Sequence, residues 1–269
     1  MITGAVLGSP ITHSLSPVLH KAAFDFLGID GNYSAIEVSS GSLDSFMASR
    51  SDEFDYLSLT MPLKEEVLAL DVAKDALTDR IQSGNTLIKR ENAWSLTSTD
   101  GSGFVAALAH VGFTRFTKAL ILGAGGTARA VAGALDSVTD ELHVLGRSSV
   151  REGALQSAVQ SASFQYLTWT SEIDFHAYDL VVNTTPAGAA DLLANSVQPN
   201  RVNLLFDVIY KPWPTELAKR WNDCGGKVIN GLELLLYQGM DQLELVLSQP
   251  LDRLALANHI RPYLQKASR

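Results

Sequence analysis

Two residues of opposite charge stand where they could do chemistry. Lys64 lies in the first turn of a helix expected after Pro62, in Leu57-Ser58-Leu59-Thr60-Met61-Pro62-Leu63-Lys64. A cation is electrostatically disfavoured at a helix N-terminus, so a lysine there suggests a task. Asp100 stands in Thr99-Asp100-Gly101, beside two glycines that suit a hinge or a helix start. Brought together across a cleft, a lysine and an aspartate form a general acid/base pair beside a carbinol. The plainer alternatives are a surface charge cluster of Lys64 with Glu65 and Glu66, and an exposed Lys–Asp ion pair. Hydroxyls and an amide stand at strand ends nearby. Ser14 and Ser16 follow the first expected strand, Thr60 closes a buried one, and Asn85 precedes another. Open α/β sheets bind ligands at such strand ends. Ser16 before Pro17 also reads as a helix N-cap with proline at the first helical position.

A second kind of chemistry is written at 119–128. The apolar run Ala119-Leu120-Ile121-Leu122 leads straight into Gly123-Ala124-Gly125-Gly126-Thr127-Ala128 and then a helical stretch. This is G-x-G-x-x-A between a strand and a helix. The first glycine allows a tight turn, the second lets backbone approach a pyrophosphate, and Ala128 allows close helix–strand packing. The helix N-terminus offers N–H groups and the positive end of its dipole. The next strand ends in Gly146-Arg147-Ser148-Ser149-Val150-Arg151. A dinucleotide site for NAD usually has an acid here to accept from the ribose 2′-hydroxyl. Arg147, Ser148 and Arg151 instead match a 2′-phosphate, which favours NADP(H) over a solvated basic loop.

These residues need elements to hold them. Apolar runs at 2–7, 33–38, 56–60 and 85–89 read as strands, with helical spacing at 16–27, 42–49 and 63–70. A second series has strands at 118–122, 141–145, 179–183 and 204–208 and helices at 126–135, 150–160 and 215–223. The segments 231–247 and 251–265 are helical. Strands alternating with helices predict an α/β fold with parallel pairing and right-handed crossovers.

The composition narrows the class. The net charge of −8, with no basic run, argues against a nucleic-acid partner. A lone Cys224 excludes an intrachain disulfide and reads as a structural thiol. The six histidines (13, 20, 110, 143, 176 and 259) show no metal-ligand spacing, so no metal is expected. The segment MITGAVLGSP lacks signal-peptide features, and no apolar run is long enough to span a membrane. A cytoplasmic protein without a membrane partner is expected. Monomer and homodimer stay open.

Taken in order, nine segments resemble the shikimate dehydrogenase family: GSPITHSLSP, LTMPLKEE, GNTL, STDG, GAGGTARA, GRSSVR, NTTPAG, FDVIYKPWPT and NGLELLLYQ. The resemblance implies NADPH-dependent reduction of 3-dehydroshikimate to shikimate, a step of aromatic amino acid biosynthesis. It implies a substrate domain at 1–100 plus 231–269, with a Rossmann-type NADP domain inserted at 101–230. By position, Lys64 matches the catalytic lysine, with Asp100 beside it. Ser14 and Ser16 match binders of the substrate carboxylate, and Thr60, Asn85 and Asp100 match binders of its ring hydroxyls. Tyr210 and Gln238 match further substrate contacts. Gly231 matches a glycine whose carbonyl meets the nicotinamide amide, and Thr184 and Val208 match cofactor positions. Three places depart from the family pattern: Ser98 where asparagine is usual, Gly146 where asparagine is usual, and Gly239-Met240 where alanines are common. The rivals are an NAD-using quinate/shikimate dehydrogenase, a paralogue for another hydroxy acid, and a catalytically silent NADP-binding sensor. Arg147 and Arg151 count against the first, and intact Lys64, Asp100 and Gln238 against the last.

Overall fold

The apolar segments pair into two separate six-stranded sheets in a computed structural model that describes residues 1–169, 173–199 and 203–269. The chain forms two compact units. One comprises Met1–Gly103 with Leu235–Arg269, and the other Phe104–Leu234.

In the first unit the chain runs through β1 (Ile2–Gly8), α1 (Ser16–Leu27), β2 (Gly31–Glu37), α2 (Leu43–Arg50), β3 (Tyr56–Leu59), α3 (Leu63–Glu66), β4 (Ala73–Lys74), α4 (Ala76–Ile81), β5 (Thr86–Arg90) and β6 (Ala93–Thr97). It leaves along α5 (Asp100–His110). The sheet order is β2-β1-β3-β5-β6-β4. β1 is parallel to β2 and β3, as its crossover helices require. The expectation of parallel pairing throughout fails at β5, which runs antiparallel to β3, and β6 is antiparallel to β5. The reason lies between Thr60 and Asn85. A parallel return needs a crossover, usually a helix, that carries the chain back along the sheet. Here α3 lasts four residues and passes into a 3₁₀ turn at Val67–Ala69. β4, paired with β6 at the sheet edge, and the six-residue α4 follow, and the chain comes back to the end where β3 stopped, where Leu59 N–H donates to the Asn85 carbonyl at 2.8 Å. Glu91 and Asn92, both at positive φ, close the tight β5–β6 hairpin. Strand β1 and its neighbours pack one core through Ala5, Leu7, Leu57, Leu59, Leu87 and Leu96.

The second unit holds β7 (Phe116–Leu122), α6 (Gly126–Leu135), β8 (Thr139–Gly146), α7 (Glu152–Ala158), β9 (Ser163–Thr168), β10 (Leu180–Asn183), β11 (Leu204–Asp207), α8 (Glu216–Asp223) and β12 (Lys227–Asn230). All its strands are parallel, in the order β12-β11-β10-β7-β8-β9. This is the doubly wound Rossmann arrangement, and the winding reverses between β7 and β10. β10 and β11 are buried throughout, which explains their runs of consecutive apolar residues before Asn183 and Asp207. Leu120, Leu205 and Val181 share a core with Leu217 and Trp221 of α8.

The chain re-enters the first unit along α9 (Gly231–Leu247) and ends in α10 (Arg253–Ala267), which packs on α1. A Cβ on Gly239 would stand 2.8 Å from the Leu19 side chain, so the glycine lets α9 approach α1 closely. No helix among the described residues is long and apolar enough to cross a membrane.

Candidate active site

Strand direction assembles the first-unit residues. β3 ends at Leu59, β5 starts at Thr86 beside Ser58, and β6 ends at Thr97 beside Thr86. Thr60, Asn85 and Asp100 therefore lie at one end of the sheet. A parallel β5 would have put Asn85 at the other end. The loop carrying Ser14 follows β1, whose Leu7 carbonyl accepts from Thr60 N–H at 2.9 Å, so it leaves from the same end. The Lys64 carbonyl accepts from Gly84 N–H at 2.9 Å, which fastens the lysine's turn next to Asn85.

At this end Lys64 Nζ donates to Asp100 Oδ2 at 2.5 Å, with the two side chains 16% and 5% exposed. A pair this sheltered is neither a surface cluster nor an exposed ion pair. Asn85 Nδ2 donates to Asp100 Oδ1 at 2.8 Å and also approaches Thr99 Oγ1 and Gln238 Oε1, at 3.1 and 3.3 Å. One carboxylate thus divides its oxygens between a cation and an amide. The helix-dipole argument for Lys64 counts for little, because α3 is a single turn. Asp100 accounts for its position. Asp100 opens α5, whose first turn is anchored by Ser102 Oγ donating to Asp241 Oδ2 at 2.5 Å. Burial raises the Asp241 carboxyl above its ordinary range, and Ser102 and Arg253 oppose the shift. Gly103 allows the close approach of α5 to α9: a Cβ there would meet Gln238 N at 2.5 Å.

Ser14 and Ser16 sit at the start of α1, but not as expected. The helix begins at Ser16 itself, so its own N–H is among the unsatisfied ones. Ser14 Oγ accepts from it at 3.3 Å, while Leu15 occupies the cap without a side-chain bond. Ser16 is therefore not the N-cap.

Sequence reading missed the residues behind Asn85. Its Oδ1 accepts from Thr99 N–H and Thr86 Oγ1, each at 2.8 Å. Gln242 Nε2 donates to Thr86 Oγ1 at 2.8 Å, Ser58 Oγ donates to Gln242 Oε1 at 2.9 Å, and Tyr33 Oη donates to Ser58 Oγ at 2.6 Å. The signal for Gln242 was available: two glutamines four apart in one helical stretch share one face. Tyr33 stacks on His20 with ring centroids 3.9 Å apart, and Tyr56 Oη pairs with His20 Nδ1 at 2.8 Å. Burial lowers the His20 imidazole to about 3, with Gln242 pulling weakly upward, so it stays neutral.

In the second unit the glycine loop leaves the carboxyl end of β7. Gly123 has φ +105°, and a Cβ there would stand 2.7 Å from Thr184 Oγ1. Thr184 follows β10, so these two residues flank the point where the winding reverses. That is where open α/β sheets bind ligands. Gly125 caps α6 without a side chain, leaving the first N–H groups of Gly126, Thr127 and Ala128 at a helix N-terminus. Ala128 is fully buried. Arg147 is exposed just past β8, near Ser148, and Arg151 Nη1 donates to the Ala124 carbonyl at 3.4 Å, over the loop. Gly231 lies against Val208, where a Cβ would meet the Val208 carbonyl at 2.0 Å. These residues fit a dinucleotide: backbone space that any side chain would fill, and two arginines at the far strand. Tyr210 is half-buried past β11 in this unit. Asp207 fixes that turn by accepting from Asn183 Nδ2, Ile209 N and Thr215 Oγ1, although burial raises its carboxyl.

Of the departures from the family pattern, Gly146 has a local cause, as Gly239 does against Leu19. At Gly146 a Cβ would stand 1.8 Å from Tyr166 Oη, so the tyrosine occupies the room an asparagine would need. Ser98 is buried, and its hydroxyl has no hydrogen-bond partner among the described residues. Among the same residues no group of histidine, cysteine and acidic side chains could hold a metal ion.

Residues 6–87 match the family model of the shikimate dehydrogenase substrate binding domain. A shikimate dehydrogenase (NADP(+)) of Prochlorococcus marinus is 32% identical over 256 residues, covering 89% of each chain. The crystal structure of Mycobacterium tuberculosis shikimate dehydrogenase superposes with a TM-score of 0.87 at 32% identity, covering 97% of this chain and all (100%) of that one. A Thermus thermophilus shikimate 5-dehydrogenase, solved in complex with NADP(H) and shikimate, superposes with a TM-score of 0.82 at 31% identity over 98% of this chain and 100% of that one.

Proposed function

Since the chain belongs to the shikimate dehydrogenase family, we propose that it catalyses the reversible, NADPH-dependent reduction of 3-dehydroshikimate to shikimate, in the pathway to aromatic amino acids. The observation that carries this reading is the sheltered Lys64–Asp100 pair, with Asn85 on the second carboxylate oxygen.

NADP(H), when bound, supplies the hydride. Gly123 to Ala128 would hold its pyrophosphate, Arg147, Ser148 and Arg151 its 2′-phosphate, and Gly231 its nicotinamide amide, with Thr184 and Val208 as further cofactor contacts. Lys64 Nζ gives a proton to the substrate carbonyl oxygen as negative charge grows there, and recovers it in the reverse direction. Asp100 Oδ2 aims the ammonium, and its Oδ1 is held by Asn85, so the carboxylate cannot swing away. Ser14 and Ser16 bind the substrate carboxylate. Thr60, Asn85 and Asp100 fix its hydroxyls and Gln238 gives a further contact, which contributes by orientation. The chain works in the cytoplasm, as a monomer or homodimer.

The test is the loss of reduced-cofactor absorbance with 3-dehydroshikimate, comparing NADPH with NADH in the parent chain and in Arg147→Ala. Turnover should favour NADPH, and the variant should lose on the order of 10–100-fold in kcat/KM for NADPH, the worth of a charge-assisted bond. NADH kinetics should hardly change. Equal losses with both cofactors would refute the 2′-phosphate role, and absent turnover would refute the substrate.

A further inference from the structure

The protons of the buried network behind Asp100 can all be placed from one backbone group. Thr99 N–H can only donate, and it lies 2.8 Å from the Asn85 side chain. Asn85 must therefore present its oxygen there, which turns Nδ2 onto Asp100 Oδ1. Thr86 Oγ1, 2.8 Å from that same oxygen, must donate to it, so its lone pairs face Gln242. Gln242 must then present Nε2 to Thr86 and Oε1 to Ser58. Ser58 must donate in turn, and accepts from Tyr33. Each donor along this path points toward Asp100. Ser58, Thr86, Asn85 and Gln242 are 6%, 0%, 2% and 1% exposed, so water cannot substitute for a lost partner.

We propose that Gln242 is a positioning residue for the Lys64–Asp100 pair: placed between the Ser58 and Thr86 hydroxyls, it supplies the donor that Thr86 Oγ1 accepts from, and together with Thr99 N–H it holds the Asn85 amide with Nδ2 on Asp100. The claim rests on the catalytic reading of that pair. An amide suits this place because its two ends differ. A carboxylate of the same shape would accept from both hydroxyls and draw the Thr86 proton away from Asn85. Two acceptors, Thr86 Oγ1 and Asn85 Oδ1, would then face each other at 2.8 Å, and the Asn85 side chain would give way. A thioether would leave the Thr86 hydroxyl free to turn.

The experiment compares Gln242→Glu, Gln242→Met, Thr86→Val and Thr86→Ser with the parent chain. Gln242→Glu should lower kcat for 3-dehydroshikimate reduction about tenfold, the value of one misplaced buried hydrogen bond. The KM for NADPH should stay the same. Gln242→Met and Thr86→Val should show smaller losses of the same kind, and Thr86→Ser, which keeps the hydroxyl, should rescue the valine variant. In the Thr86→Val background the glutamate should cost little more, because the path is already cut. A second readout needs no turnover. The side-chain amide resonance of Asn85 should exchange slowly with solvent in the parent chain and about tenfold faster in Gln242→Glu and Gln242→Met. A Gln242→Glu chain with parental kcat, an additive loss in the Thr86→Val background, or unchanged Asn85 exchange would each overturn the proposal. If Gln242→Glu does not fold, the methionine and valine variants decide by the same criteria. Faster Asn85 amide exchange in the variants, beside a parent chain that fails to reduce 3-dehydroshikimate, would uphold the positioning role and sink the substrate assignment instead.

Discussion

Replacing Lys64 with alanine should have two separable consequences. In the parent chain Asp100 is 4% exposed and holds two charge-satisfying contacts, Lys64 Nζ at 2.5 Å and Asn85 Nδ2 at 2.8 Å. The alanine variant keeps only the second. Breaking a buried pair from one side costs about 3–5 kcal/mol, and the lower end applies because the lysine retains 16% exposure. The first unit should therefore lose about 3 kcal/mol. Turnover should fall on the order of 10²–10⁴-fold, as expected for removal of the proton donor. Adding Asp100→Asn tells the two apart. A neutral amide of the same size leaves no buried charge, so the double variant should recover most of the lost stability while turnover stays down. Urea midpoints report the first quantity and NADPH absorbance with 3-dehydroshikimate the second. Turnover of Lys64→Ala within tenfold of the parent would refute the acid/base role. A double variant no more stable than Lys64→Ala would refute the claim that the lysine neutralises a buried charge.

Two further outcomes follow from the packing around the site. His20, lowered to about 3 by burial against an ordinary 6.5, takes up its proton only on unfolding across that window. Its stabilising effect is complete above about pH 6.5 and is lost as pH falls toward 3, by at most about 1.4 kcal/mol per pH unit. Urea midpoints from pH 7 to 4 should fall less steeply in His20→Phe, and parallel slopes would show that the imidazole is not kept neutral. Gly103→Ala would drive a Cβ to 2.5 and 2.7 Å from the N and Cα of Gln238, backbone atoms of α9 that cannot swing aside. It should cost about 1–3 kcal/mol and raise the substrate KM; parental stability and KM would mean that α5 and α9 have more room than the structure gives.

Sequence by itself determined the parts of this protein whose signals are local. The G-x-G-x-x-A loop needs only a strand, a helix and a backbone without side chains, all contiguous from Ala119 to Leu135, and in the structure Gly123 has φ +105° and Ala128 is buried. The apolar runs 119–122, 180–182 and 204–206 likewise read as buried strands, and they lie in β7, β10 and β11. Lys64 and Asp100 could be nominated as an acid/base pair from their neighbours and from the family resemblance, but no local signal placed them together. Their meeting depends on β5 running antiparallel to β3, and apolar periodicity carries no sign of strand direction. The sequence suggested parallel pairing, which would have sent Asn85 to the far end of the sheet. Direction was decided by the path the chain takes between Thr60 and Asn85, through α3, β4 and α4 back to the end where β3 stopped, and by the hairpin at Glu91–Asn92 that brings β6 and Asp100 back. The network of Tyr33, Ser58, Thr86 and Gln242 was hidden for a related reason. Each residue alone is an ordinary hydroxyl or amide, and only burial in one place, with a single backbone N–H to set the direction, turns them into one device.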